Sequence, residues 1–148
     1  MSKKTLVVEL QRKSGDFHFE ALGANKMAVQ IDAGSSIGGT NIGASPMELL
    51  LMGIGGCSAI DVVMILKKSK QQIDDIRISV SGERDAEAVP APFEKIHLEF
   101  ILKGHIKQSK AEEAIRLSME KYCSAAVMLA KTAQISWSCV VENDLEIK

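Results

Sequence analysis

Two cysteines stand in settings where a thiol could react: Cys57 in GIGGCSAIDV and Cys123 in EKYCSAAVML. Each lies in a helix-forming, mostly apolar stretch. A thiol so enclosed is either inert packing, the commoner fate of a free cysteine, or a nucleophile the chain shields until it is needed. Spacing alone does not show that the two meet. Cys139 shares a strand face with Ile135, Trp137 and Val141 and reads as packing. Asp61 falls one helical turn after Cys57, on the same face. A charged carboxylate there would disfavour the thiolate; one bonded elsewhere would anchor the helix. No metal site is expected, because no cysteine pair has C-x₂₋₄-C spacing and His18, His97 and His105 are scattered. Without a histidine in a compelling context, a cysteine hydrolase has little support.

The element that must position Cys57 is the stretch Ser45 to Lys70. Ser45 can cap a helix, Pro46 fits its first position, and Glu48 at N3 closes a capping box. From Leu49 to Ile60 no residue is charged, so apolar side chains project on every side and the helix must be covered on every side. Gly53, Gly55 and Gly56 are expected to admit another backbone closely. The helix reads as too short, between Glu48 and Asp61, to span a membrane.

Strands are expected before it at Thr5–Gln11, Phe17–Leu22 and Met27–Ile31, with turns at Lys13–Asp16 and Gly23–Asn25. The glycine-rich link Gly34–Ser45 reads as a flexible or substrate-gating linker. It lacks both a Gly-Lys-Ser/Thr and a G-x-G-x-x-G, so a phosphate loop is disfavoured. After the helix, Ile76–Ser81 and Glu94–Lys103 alternate cleanly and suggest an antiparallel pair with one buried face. Ser109 and Glu112 suggest a second capping box, opening a helix that leads to Cys123. Periodicity leaves open whether that helix breaks at Tyr122-Cys123-Ser124. Gln134–Glu142 reads as the last strand.

The 148 residues fit one domain, 1–148. With 18 basic against 19 acidic residues the net charge is −1, which argues against nucleic-acid or anionic-membrane binding driven by bulk charge. The N-terminal apolar run is broken at Glu9 and does not read as a signal peptide. Reduced thiols in a cytoplasmic, soluble protein are therefore expected.

Pro46-x-Glu48-Leu49-Leu50-Leu51, Gly56-Cys57-Ser58 and Lys121-Tyr122-Cys123-Ser124 resemble the OsmC/Ohr family of osmotically inducible and organic-hydroperoxide-resistance proteins. The order of elements matches over almost the whole chain. The resemblance implies an α+β fold built as an intertwined homodimer, with antiparallel sheets wrapped around central cysteine-bearing helices. It also implies a thiol peroxidase cycle on organic hydroperoxides. Cys57 would be the peroxidatic cysteine, Cys123 the resolving one, and a dithiol the reductant, with no cofactor. The family's peroxidases place a glutamate directly after the proline, paired with an activating arginine. Here that position is Met47, Glu48 lies one step on, and Arg12 does not match the family's arginine motif. This pattern looks more like an OsmC-like branch. The alternative reading is a non-catalytic dimer that binds a small apolar ligand or senses redox state.

Overall fold

The structure is a computed structural model that describes residues 2–143. The chain divides into two compact units, Met1–Leu50 and Leu51–Lys148, and each is described by itself.

The first unit is an antiparallel sheet in the order β1-β2-β3, formed by Glu9–Ser14, His18–Leu22 and Ala28–Ile31. Strand β1 starts and ends later than its β-forming residues suggest. The turn closes at Gly15, whose φ of 57° suits glycine, and β2 is short enough that Leu22 pairs with Glu9. Residues 5–8 therefore have no partner strand in this sheet. The glycine-rich link is not a flexible linker. Ile31 bridges to Ala44, and the buried Asp32 gathers the loop between them. Its Oδ1 accepts the Ala33 N–H at 2.8 Å. Its Oδ2 accepts the Thr40 N–H at 3.0 Å, the Thr40 hydroxyl at 3.0 Å and the Ile42 N–H at 3.2 Å. A Cβ at Gly39 would overlap the Ala33 carbonyl, so only glycine lets the loop close this tightly. The phosphate-loop idea fails for the same reason: the protein's own carboxylate occupies these amides.

Helix α1, Pro46–Lys68, starts as the sequence suggests. The Glu48 N–H bonds Ser45 Oγ at 3.3 Å, and that hydroxyl donates to Glu48 Oε1 at 3.1 Å. At its other end Lys67 and Lys68 face the negative pole of the helix. Lys70 adopts φ 60°, and the Lys70 and Gln71 N–H groups bond the Lys67 and Leu66 carbonyls, a Schellman closure.

The second unit holds the sheet β4-β5-β6, Gln72–Glu83, Lys95–His105 and Gln134–Glu142. Strands β4 and β5 are antiparallel, pairing Ile78 with Phe100 and Val80 with Leu98. Strand β6 runs parallel to β5, with Leu98 beside Trp137 and Phe100 beside Cys139. A parallel neighbour requires a long crossover, here supplied by α2 (Gln108–Leu117), one turn of π-helix (Ser118–Tyr122) and α3 (Ser124–Leu129). The expected face of β5 (Ile96, Leu98, Phe100, Leu102) is fully buried. Helix α2 begins at Gln108 after an extended Lys107 and has no side-chain cap. Ser109 thus sits inside the helix, and the capping box expected there does not form.

Helix α1 buries Ile54, Val62 and Leu66 completely. A Cβ at Gly55 would come within 3.1 Å of Val80 Cγ2 on β4, so this glycine admits the sheet. Gly53 and Gly56 have open space instead and lie with Met52, Ile60 and Met64 on an exposed apolar face. By length and composition alone α1 is apolar enough to cross a membrane, a test that a core helix also passes. Its sheet-packed side is that of a core helix.

Candidate active site

The π-helical turn is what brings the second cysteine to the first. It places Tyr122 and ends at Cys123, whose extended backbone (φ −78°, ψ 105°) breaks the helix. The break is held at two points: the Cys123 N–H bonds the Ser118 carbonyl at 2.7 Å, and Cys123 Sγ caps α3 by accepting the Ala126 N–H at 3.3 Å. The helix therefore breaks at Tyr122-Cys123-Ser124. Single π-turns inside helices are often found at functional sites.

On α1, Cys57 and Asp61 lie one turn apart and face this break. Cys57 Sγ, Cys123 Sγ and a carboxylate oxygen of Asp61 are all within 4.8 Å of one another. The two sequence-nominated cysteines therefore do meet. Both are free thiols, Cys57 half-buried and Cys123 fully buried. Asp61 does both things foreseen for it. It stands beside the thiols, and it accepts a hydrogen bond from the buried Ser118 hydroxyl at 3.0 Å, tying α1 to the π-turn. Among the described residues, the two ion pairs (Lys13–Glu20 and Lys110–Glu113) lie elsewhere. Nothing in the sequence marked Ser118; its role appears only once the π-turn carries it against α1.

Burial is the main reason that the Cys123 thiol is pushed up, to about 11. Hydrogen bonding with Cys57 adds to this, the Ala126 N–H opposes it, and the charges of Cys57 and Asp61 raise it further. Cys123 thus keeps its proton at neutral pH. Cys139 is also pushed up to about 11, by burial and then by Glu112; it lies apart from the cluster, on β6 beside α2. His97 bonds Ser136 Oγ at 2.7 Å across the outer sheet face, as a surface histidine would. Next to the thiol cluster a cavity of about 430 Å³ opens between Asp61, Met64, Ile65, Lys68, Leu117 and Tyr122. Met64, Ile65 and Leu117 give it apolar walls, and Asp61, Lys68 and Tyr122 are its polar lining residues.

A sequence model for the OsmC-like protein family matches residues 38–138, a span that contains both cysteines, the π-turn, β4, β5 and the first half of β6. The chain belongs to the OsmC-like family. Protein YhfA of Escherichia coli K12 is 48% identical over 95 residues, covering 64% of this chain and 70% of YhfA. A hypothetical protein from Aquifex aeolicus has the same fold, with TM-score 0.84, 32% identity, and 96% and 99% of the two chains covered. An organic hydroperoxide resistance protein OsmC from Legionella pneumophila superposes with TM-score 0.72 over 94% and 98% of the chains at 14% identity. That last likeness concerns the fold alone.

Proposed function

We propose that this protein is a cysteine-based peroxidase that reduces organic hydroperoxides in oxidative-stress defence. One observation carries the reading: the thiols of Cys57 and Cys123 are within 4.8 Å of each other, beside an apolar cavity. The roles follow from access and proton affinity. Cys57 is the less buried of the two and can meet substrate; Cys123 is buried and holds its proton. Cys57, as thiolate, attacks one peroxide oxygen. The O–O bond breaks, the alkoxide leaves and takes a proton to become the alcohol, and Cys57 becomes a sulfenic acid. The Cys57 thiol gives up its proton to solvent, and the alkoxide takes one back from it. Cys123 then attacks the Cys57 sulfur, water leaves, and a Cys57–Cys123 disulfide forms. An external dithiol reduces it by thiol–disulfide exchange. The apolar walls of the cavity (Met64, Ile65, Leu117) suit the organic tail.

The exposed stripe Met52, Gly53, Gly56, Ile60 and Met64 supports an intertwined homodimer, since a solvent-facing apolar helix face calls for a cover. The Aquifex aeolicus structure aligns with 96% of this chain and 99% of its own, which supports residues 1–148 acting as a single domain. We place the protein in the cytoplasm, where thiols stay reduced.

A second reading, a redox-sensing or ligand-binding dimer, draws on Asp61. Its negative charge disfavours a thiolate beside it, and Glu48 is engaged with Ser45. Consumption of cumene hydroperoxide with a dithiol reductant decides between the two. The peroxidase reading expects turnover in wild type, none in Cys57→Ser, and a trappable Cys57 sulfenic acid in Cys123→Ser. No turnover, with both thiols unreacted, leaves the second reading.

A further inference from the structure

The geometry points to the reduced Cys57–Asp61–Cys123 cluster as a binding site for one thiophilic divalent cation of the zinc type. Three ligand atoms, two sulfurs and one carboxylate oxygen, are within 4.8 Å of one another. Tetrahedral zinc, with Zn–S about 2.3 Å and Zn–O about 2.0–2.2 Å, holds such atoms about 3.5–3.8 Å apart. Small torsional adjustments of three side chains cover the difference.

The scaffold suits the purpose. Cys57 and Asp61 are four residues apart on one helix and project side by side, while Cys123 approaches from the start of α3. Ser118 Oγ holds Asp61 Oδ2 at 3.0 Å and leaves the other oxygen available. Metal-binding carboxylates are commonly oriented by such a partner. Two thiolates and a carboxylate carry three negative charges, and among the described residues no ion pair involves Asp61. A divalent cation balances two of these three charges as the thiols lose their protons. Three protein ligands leave a fourth position for water, the arrangement of zinc sites that keep an open position, and Asp61 also lines the neighbouring cavity. Two sulfurs select a thiophilic ion over magnesium or calcium. The absence of any C-x₂₋₄-C pair hid the site in the sequence, because its ligands come from positions 57, 61 and 123.

Binding displaces two thiol protons to solvent and changes no oxidation state. The metal and the Cys57–Cys123 disulfide exclude each other, since both use the same sulfurs. An occupied site would therefore mask the thiols until the ion is withdrawn.

The test is anaerobic titration of reduced, metal-free protein with Co²⁺, followed by displacement with Zn²⁺. The expected result is one Co²⁺ per chain, with thiolate-to-cobalt charge transfer and tetrahedral d–d bands that Zn²⁺ abolishes. Cys57→Ser and Cys123→Ser each remove charge-transfer intensity. Asp61→Asn weakens binding by about tenfold or more, and Cys139→Ser leaves it intact. Asp61→Asn keeps both thiols and the side-chain shape, so it stands as a probe should Cys123→Ser fail to fold. Absence of charge-transfer bands at stoichiometric Co²⁺ overturns the proposal. So does their persistence in Cys57→Ser, or equal binding by the disulfide form. None of these readouts involves a peroxide, so they stand or fall apart from the peroxidase assay.

Discussion

Asp32 and Asp61 are carboxylates of one chain put to opposite uses. Asp32, in the glycine-rich link of the first unit, is buried and accepts four hydrogen bonds from Ala33, Thr40 and Ile42. Burial alone would push its pKa up; those bonds outweigh it and hold the carboxyl below its ordinary value of 3.8. Asp61, in the second unit, is half-buried and accepts one bond, from Ser118. Its remaining capacity faces two thiols. A carboxylate whose lone pairs are all taken is a structural tie. One with lone pairs to spare beside nucleophiles is available for proton transfer or for a metal.

The difference should appear first in stability. Asp32→Asn replaces an acceptor-only group with one whose NH₂ meets donors already on the loop, so backbone N–H groups lose their partners. A large drop in the chemical-denaturation midpoint is expected. Asp61→Asn keeps an acceptor for Ser118 and should change stability by no more than about 1 kcal/mol. The pH dependence has a definite sign. A carboxyl depressed in the folded state stabilises above its unfolded value and loses that contribution as pH falls through its folded value. Wild type should therefore weaken on acidification below about pH 4, and Asp32→Asn should show a flatter profile there. Equal effects of the two asparagine variants would remove the distinction.

A smaller effect is expected at Gly39, where any side chain meets the Ala33 carbonyl. Gly39→Ala should cost about 1–3 kcal/mol, the usual range for a forced fit, read from the denaturation midpoint. A neutral result would mean that the link is slack and that Asp32 gathers nothing.

The two regions also differed in how far they could be read from residues alone. Helix α1, its Ser45–Glu48 start and the alternating face of β5 were legible because local periodicity and capping determine them. Strand β6 was found residue for residue, but its parallel pairing was not, since direction depends on the crossover rather than on the strand. The glycine link looked flexible because glycine counts reveal freedom, whereas the tie from Asp32 is tertiary. Strand β1 was displaced for a related reason: Leu6 and Val8 are good strand formers, yet β2 is too short to pair with them. At the site, Cys57, Cys123 and the spacing to Asp61 were visible. Ser118 and the π-turn were not, because a π-turn has no repeat to detect.

The two carboxylates differ least in how far their charge acts outward. Asp32's charge is met by its own loop, whereas Asp61's reaches Cys123, though it is the smallest of the causes that lift that thiol to about 11. Alkylation of Cys123 by iodoacetamide, followed by mass spectrometry across pH, reports the thiolate fraction. In wild type the rate should still be rising at pH 10. Cys57→Ser removes the hydrogen-bonding and charge contributions of its neighbour and should move the profile to lower pH. Asp61→Asn should move it in the same direction by less, while burial, the leading cause, remains in both. An unmoved profile in Asp61→Asn would mean that the carboxylate, though within reach, does not act on the thiols, and that its bond to Ser118 is its whole function.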